Sequence, residues 1–256
     1  MLTDDELMRY SRQLLLPQLD VAGQIRLKQS RVLVVGAGGL GCPVALYLGG
    51  AGVGHLVLAD DDRVEIANLQ RQVAFRQSDI GASKAESLAR QIRGMNPDIQ
   101  VDAVAERLSG EALAQQVASA TLVVDCTDNF DTRFAINRAC VEAGVPLVSG
   151  AAIRGEGQVS VFDSRSPDRP CYQCLYPDSG DEDLRCSEAG VIGPLVGLIG
   201  ACQAMEAIKV IAGVGESLTG RLLLLDAWRM EWREMKLARD PACPICGPAH
   251  SGGALE

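Results

Sequence analysis

An α/β fold with a doubly wound, mostly parallel sheet and antiparallel strands near its C-terminus is predicted by three features of the sequence. Short apolar runs alternate with helical stretches between residues 31 and 150, the rhythm of repeated strand–helix–strand units. A glycine-rich turn, GAGGLG at 36–41, directly follows the apolar run RVLVV. Past residue 155 the rhythm changes, and GQVSVF (157–162) and GRLLLLDAWRMEWREMKL (220–237) read as strands joined by turns.

The elements follow in order. Thr3 and Glu6 form a capping-box pattern that opens a helix through about Leu16, and Pro17 ends it. LDVAGQIRLKQ is a second helix leading into a strand at 31–35. A helix over 40–51 and a strand at HLVLA (55–59) come next. DDDRVEIANLQRQ (60–72) is a polar loop with room for a short helix. Ser83 caps a helix to Gly94, and IQVDAV (99–104) and TLVVD (121–125) are further strands. A helix over 129–143 precedes a strand at PLVSG (146–150). VIGPLVGLIGACQAM (191–205), broken by Pro194 and several glycines, reads as a buried helix and not as a membrane span.

Composition removes several function classes. The 256 residues carry 33 acidic and 24 basic side chains, a formal charge of -9, which argues against a nucleic-acid backbone as partner. Aromatic residues make up 4% of the chain, too few for base-stacking platforms. The N-terminal MLTDDELMRYSRQ has no signal-peptide pattern, so the expected compartment is the cytoplasm, with no membrane partner. In that compartment nine cysteines point to metal or thiol chemistry before disulfides.

The glycine loop has a physical reading of its own. Gly36 permits a tight turn, Gly38 lets a phosphate approach the backbone, and Gly41 allows close helix packing, the Rossmann-like arrangement. The helix behind it offers free N–H groups and the positive end of its dipole. Asp60 closes the second strand, where a ribose-binding acid belongs. This pattern alone would fit a nicotinamide cofactor. An oxidoreductase usually needs an acid–base group at the hydride acceptor, commonly His, Lys or Tyr, and neither histidine is placed for it: His55 starts a strand and His250 lies in the tail; a lysine or tyrosine base keeps an NAD-dependent oxidoreductase as an alternative. Asn68, Gln70 and Arg71 in NLQRQ, with Lys84 at the start of the next helix, suit a triphosphate better than a nicotinamide ring. Asp128 and Asn129, in DCTDN, close the fourth strand at the same edge of the sheet. Asp128 is placed to hold magnesium, and the competing reading makes Asp128 or Asn129 a helix cap.

Cys171 and Cys174 form one CxxC pair, Cys243 and Cys246 another, and four thiolates in two pairs suit tetrahedral zinc that pins two distant segments together. A redox CxxC is the competing reading. Cys42, Cys126, Cys140 and Cys202 fall on packing segments and are expected to be inert; Cys186 lies in an acidic loop.

GAGGLG, LADDD, NLQRQ, DCTDN, SGAAIRGEGQ and MEAIK occur in this order, and with RYSRQ and CPICG at either end the chain resembles the ubiquitin-activating-enzyme-like adenylyltransferases of the MoeB/ThiF family over nearly its whole length. The resemblance implies ATP-dependent adenylation of the C-terminal Gly-Gly carboxylate of a small ubiquitin-like sulfur carrier, with Mg2+ and a structural Zn2+ on the four paired cysteines. It implies that Gly39 and Asp60 contact the nucleotide, that Asn68, Gln70, Arg71 and Lys84 line the phosphates, and that Arg12 reaches the ATP of the partner subunit in a homodimer. Cys186 matches the position that, in ThiF-like members, links to the carrier during sulfur transfer. SGAAIRGEGQ and CSEAGVIGPL look MoeB-like, which favours the molybdopterin-synthase carrier; LADDD and CLYPD look as much ThiF-like, which keeps the thiamine-pathway carrier as the alternative. Sulfur would come from a separate sulfurtransferase. The expected organisation is N-terminal helices (1–30), an adenylation domain with the zinc site and late strands (31–247), and a loose tail (248–256).

Overall fold

The computed structural model describes residues 1–166, 168–177 and 190–247. Eight strands form one sheet in the order β3-β2-β1-β4-β5-β6-β7-β8. The first five in that order, β3 (Gln100–Val104), β2 (His55–Ala59), β1 (Arg31–Val35), β4 (Leu122–Asp125) and β5 (Leu147–Ile153), pair in parallel. β6 (Glu156–Phe162), β7 (Arg221–Asp226) and β8 (Glu231–Lys236) then add as an antiparallel meander.

β1 shows why these runs became strands. Val32 and Val34 point into one core, with helices α3 (Asp20–Gln29), α4 (Gly41–Ala51), α5 (Lys84–Met95) and α9 (Gly193–Ala212). Leu33 and Val35 point into the other, with α6 (Gly110–Ala118), α7 (Phe130–Ala143) and the short α8 (Tyr172–Leu175). A strand covered on both faces reads as a continuous apolar run. β8 lies at the sheet's edge, every residue exposed and mostly charged, the composition that discourages edge-to-edge association.

Register positions the functional loops. Val35 pairs with Ala59 on one side and with Asp125 on the other. The glycine loop, the acidic triplet and the DCTDN loop therefore leave the sheet side by side, at the point where the strand order reverses.

The N-terminus departs from the sequence reading. The capping box of Thr3 and Glu6 forms, but helix α1 (Asp4–Arg9) stops at Tyr10, and α2 (Ser11–Leu14) is a separate turn. Tyr10 leaves helical geometry because its ring docks in the body of the protein: it is 3% exposed, and its hydroxyl accepts from Asn96 Nδ2 at 2.9 Å. The ring lies against Gly52, where an added Cβ would come within 2.5 Å of it. Helix α6 was not expected, since only Leu113 and Val117 mark its buried face.

The glycine-broken apolar stretch is helix α9, with Pro194 in its first turn, where a missing N–H costs nothing. Gly200 is required by packing, because a Cβ there would sit 2.7 Å from the Leu40 carbonyl oxygen. Long and apolar enough to span a bilayer, α9 nonetheless packs between α4, α3, β5 and β6.

Candidate functional site

Two cavities meet at the carboxyl ends of the central strands. The first, about 230 Å³, is lined by Gly36, Gly38, Asp60–Asp62, the loop after β3 from Glu106 to Leu108, and Asn129. The second, about 320 Å³, is lined by Gly39, Arg71, Arg133, Gln158 and the small residues Ala151, Ala152 and Gly157. Cys126, Thr127 and Asp128 line both. Asp128 therefore stands at the junction.

The glycine loop is built from contacts that admit no side chain. Gly36 has φ +93°, and a Cβ on it would lie 2.7 Å from the Cys126 carbonyl oxygen. A Cβ on Gly41 would lie 1.9 Å from the Gly36 carbonyl oxygen, so Gly41 serves the turn itself. Gly38 opens onto the Gln72 carboxamide, whose Nε2 would be 3.6 Å from its Cβ. Gln72 is buried, and its Oε1 has no hydrogen-bond partner among the described residues.

Asp60 connects the acidic triplet to this loop. Its Oδ2 accepts the Ala37 N–H at 2.6 Å and its Oδ1 accepts the Asp62 N–H at 2.9 Å. Burial raises its carboxyl above the usual carboxylate value, against the backbone donors that lower it. Asp62 in turn accepts from Lys84 Nζ at 2.6 Å; the lysine is 6% exposed and the carboxylate largely in solvent. Asp62 lines the first cavity while Lys84 lines neither, so the ammonium stands behind the carboxylate that faces the cleft.

The DCTDN loop is held from below. Asp125 is buried: its Oδ1 accepts from the Thr127 N–H at 3.0 Å and hydroxyl at 2.7 Å, and its Oδ2 from the Ser149 hydroxyl at 2.9 Å. Gln203 Nε2 on α9 donates to the Asp125 carbonyl oxygen at 2.7 Å. Arg133, one turn into α7 and 8% exposed, donates to the Thr127 carbonyl oxygen and lies 3.8 Å from Asp125. The helix-cap question has a clear answer: Asn129 Oδ1 accepts the Thr132 N–H at 3.0 Å, while Asp128 is exposed and caps nothing.

The other expected residues divide. Arg71 lines the second cavity, its guanidinium donating to the Ala67 carbonyl oxygen at 3.2 Å. Asn68 is buried and closes its own turn, accepting the Glu65 N–H at 2.9 Å. Gln70 faces neither cavity; it lines an open depression with Arg154 and Trp228. Arg12 projects from α2 into solvent, between Tyr10 and Gln13, both tied to the body of the chain. Cys186 lies outside the described residues. Arg133, Thr127, Gln72 and Gln158 had not been singled out. The signal for Arg133 was an arginine four residues past the Asn129 cap, facing the same acidic loop.

The Sγ atoms of Cys171, Cys174, Cys243 and Cys246 all lie within 4.8 Å of one another. The Cys171–Cys243 and Cys174–Cys246 separations are 3.6 and 3.5 Å. These are far beyond a disulfide's ~2.05 Å and near the ~3.8 Å between thiolates on a tetrahedral zinc. Asn137 Nδ2 donates to Cys171 Sγ at 3.6 Å and the Asp240 N–H to Cys174 Sγ at 3.4 Å, bonds that favour thiolates. The cluster fits zinc. Among the other cysteines, burial pushes the Cys42 thiol up to about 12 and raises Cys126, Cys140 and Cys202 as well, so these remain protonated.

Fold, glycine turn, paired cavities and cysteine cluster together define an α/β protein of the nucleotide-binding class with a second cavity adjoining the first. The chain belongs to the ThiF family, whose model matches residues 10–245. It is 48% identical over 246 residues to the molybdopterin-synthase adenylyltransferase of Salmonella typhimurium, covering 96% of this chain and 98% of that one. It is 46% identical over 250 residues to the sulfur carrier protein ThiS adenylyltransferase of Escherichia coli, covering 98% and 99%. Among solved structures, E. coli MccB with ATP superposes with a TM-score of 0.82 at 25% identity, over 93% of this chain and 74% of MccB.

Proposed function

We propose that this protein is an adenylyltransferase that uses ATP to activate the C-terminal Gly-Gly carboxylate of a small ubiquitin-like sulfur carrier, releasing pyrophosphate. The observation that carries the reading is the meeting of two cavities at Asp128: one beside the glycine turn, the other a cleft with Ala151, Ala152 and Gly157 in its wall. Relatives at 48% and 46% identity bear names of this activity.

The chemistry asks little acid–base help. A carboxylate is ionised at neutral pH and attacks the α-phosphorus directly, forming the acyl–adenylate and expelling pyrophosphate. The protein must bring two anions together and offset their charge. In this reading Gly36–Gly41 and the N-terminus of α4 cradle the phosphates and Asp60 meets the ribose. Gln72 supplies a polar contact at Gly38, while Lys84 exchanges Asp62 for phosphate and Arg71 faces the reacting groups. Asn129 lines the nucleotide cleft. The exposed carboxylate of Asp128 fits a magnesium ion, which would neutralise phosphate charge there. The four-cysteine cluster would hold zinc as a structural tie.

Arg12 fits a role in trans, since it stands exposed on an anchored turn; a homodimer would bring it to the other copy's cleft. Exposed Tyr47 on α4 and Met205 on α9 supply apolar surface for such pairing. A separate sulfurtransferase would then convert the adenylate to a thiocarboxylate, with Cys186 the candidate for a covalent link to the carrier.

The molybdopterin-synthase carrier is the leading substrate. The thiamine-pathway carrier is the second reading, favoured by the near-equal identities to both kinds of relative. Carrier-dependent exchange of pyrophosphate into ATP tests both. Exchange with one carrier names the pathway, and no exchange with any Gly-Gly carrier sinks the proposal.

A further inference from the structure

We infer that Tyr176 is a positioning residue for the tail of the protein substrate, acting through Gln158. The inference rests on the reading of the second cavity as the channel for that tail.

Gln158 lies in the middle of β6, in register with Ala151 on β5 and Leu224 on β7, and all three line the channel. The Tyr176 hydroxyl donates to Gln158 Oε1 at 2.7 Å. A glutamine amide has an accepting end and a donating end, and rotation by half a turn exchanges them. With the oxygen held by the tyrosine, the Nε2 end is left to donate.

That choice matters because of what a glycine tail offers. It has no side chains, so a channel can grip only its peptide groups, and a tail carbonyl needs an N–H donor. Ala151, Ala152 and Gly157 supply shape without side-chain donors. Arg133 is engaged with the Thr127 carbonyl, and Arg71 with that of Ala67. Thr127 spends its hydroxyl on Asp125, which leaves Gln158 as the neutral side-chain N–H donor among the described residues of this wall.

Tyr176 is itself held rigidly. Its ring packs on Tyr172 (centroids 4.9 Å apart) and on Phe130 (5.9 Å), and its N–H donates to the Tyr172 carbonyl oxygen at 3.1 Å. Tyr172 follows Cys171, and its own N–H donates to Asn137 Oδ1 at 2.9 Å. The hydroxyl that orients Gln158 is thus fixed to the cysteine cluster on one side and to α7 on the other.

The test measures carrier-dependent pyrophosphate–ATP exchange with the full chain at saturating ATP. Tyr176→Phe keeps the ring and removes only the hydroxyl. It is expected to raise the KM for the carrier about 3- to 10-fold, the value of one hydrogen bond, with kcat and the KM for ATP unchanged. Gln158→Leu should raise the carrier KM at least as much, and the double variant should match Gln158→Leu alone. An unchanged carrier KM in Tyr176→Phe, or additive effects in the double variant, would each overturn the inference. Absence of exchange in the unsubstituted protein would instead remove the functional reading beneath it.

Discussion

Asn129 caps helix α7 by accepting the Thr132 N–H at 3.0 Å, and this leaves the neighbouring Asp128 carboxylate with no part in ending or starting an element. Two adjacent residues of one motif therefore carry separable duties, and substitution should separate them. Asp128→Ala is expected to lower pyrophosphate–ATP exchange by at least about 100-fold while leaving the melting temperature unchanged. Asn129→Ala should cost about 1 kcal/mol of stability through the lost cap. Thermal unfolding beside the exchange assay checks both; retained exchange in Asp128→Ala would remove the metal role.

Arg133 is the counterion of a carboxylate that solvent does not reach. Asp125 is 1% exposed, and Arg133 lies 3.8 Å from it. Arg133→Met should destabilise the protein by about 3 kcal/mol or more, because removing one member strands the other's charge. Denaturant unfolding would show it as a shift in midpoint, and a shift below about 1 kcal/mol would mean that the Thr127 and Ser149 hydrogen bonds suffice for Asp125.

The four clustered thiols predict a metal count. Protein purified without chelator should carry about one zinc per chain, and Cys171→Ser or Cys246→Ser should each abolish most of it. Because the metal would tie residues 171–174 to residues 243–246, its removal should also speed proteolysis of the C-terminal segment. Metal analysis by mass spectrometry decides the first point; zinc content unaffected by either serine variant would refute the site.

Cys42 and Cys140 should behave as hydrocarbon. Burial lifts Cys42 to about 12 and raises Cys140 further, so the thiolate fraction at pH 8.5 is negligible in the folded chain. Iodoacetamide should leave both unlabelled at that pH and label both in guanidinium. Labelling of either in the native protein would show an opening that exposes it.

A homodimer with shared sites predicts complementation. Arg12→Ala and Asp128→Ala, each inactive alone, should regain about a quarter of the parent activity when mixed and allowed to exchange subunits: half the dimers are mixed, each with one intact site of two. No recovery, with subunit exchange shown independently, would place Arg12 outside the partner's site.

Elements whose cause is local were legible in the sequence. The buried strands, the glycine turn and the cysteine pairs all announce themselves by period or spacing, whereas the choice between Asp128 and Asn129 as the cap of α7 needed the structure. The misses arise where distant parts of the chain decide. Tyr10 breaks a helix because of Gly52 and Asn96, far along the chain. Gln70 belongs to a motif but turns toward Arg154 and Trp228, since Asn68 and Arg71 close the turn around it. Arg133 looks like an ordinary helical surface residue until Asp125 and Thr127 are seen beneath it.

The hydrogen bond between Asp60 Oδ2 and the Ala37 N–H has a kinetic consequence. It ties the glycine turn to the end of β2 through the protein's own atoms, so the turn's shape does not depend on a nucleotide to hold it. Encounter should then be paced by diffusion and by the repulsion between an acidic protein and a polyanion, and it should quicken as salt screens that repulsion.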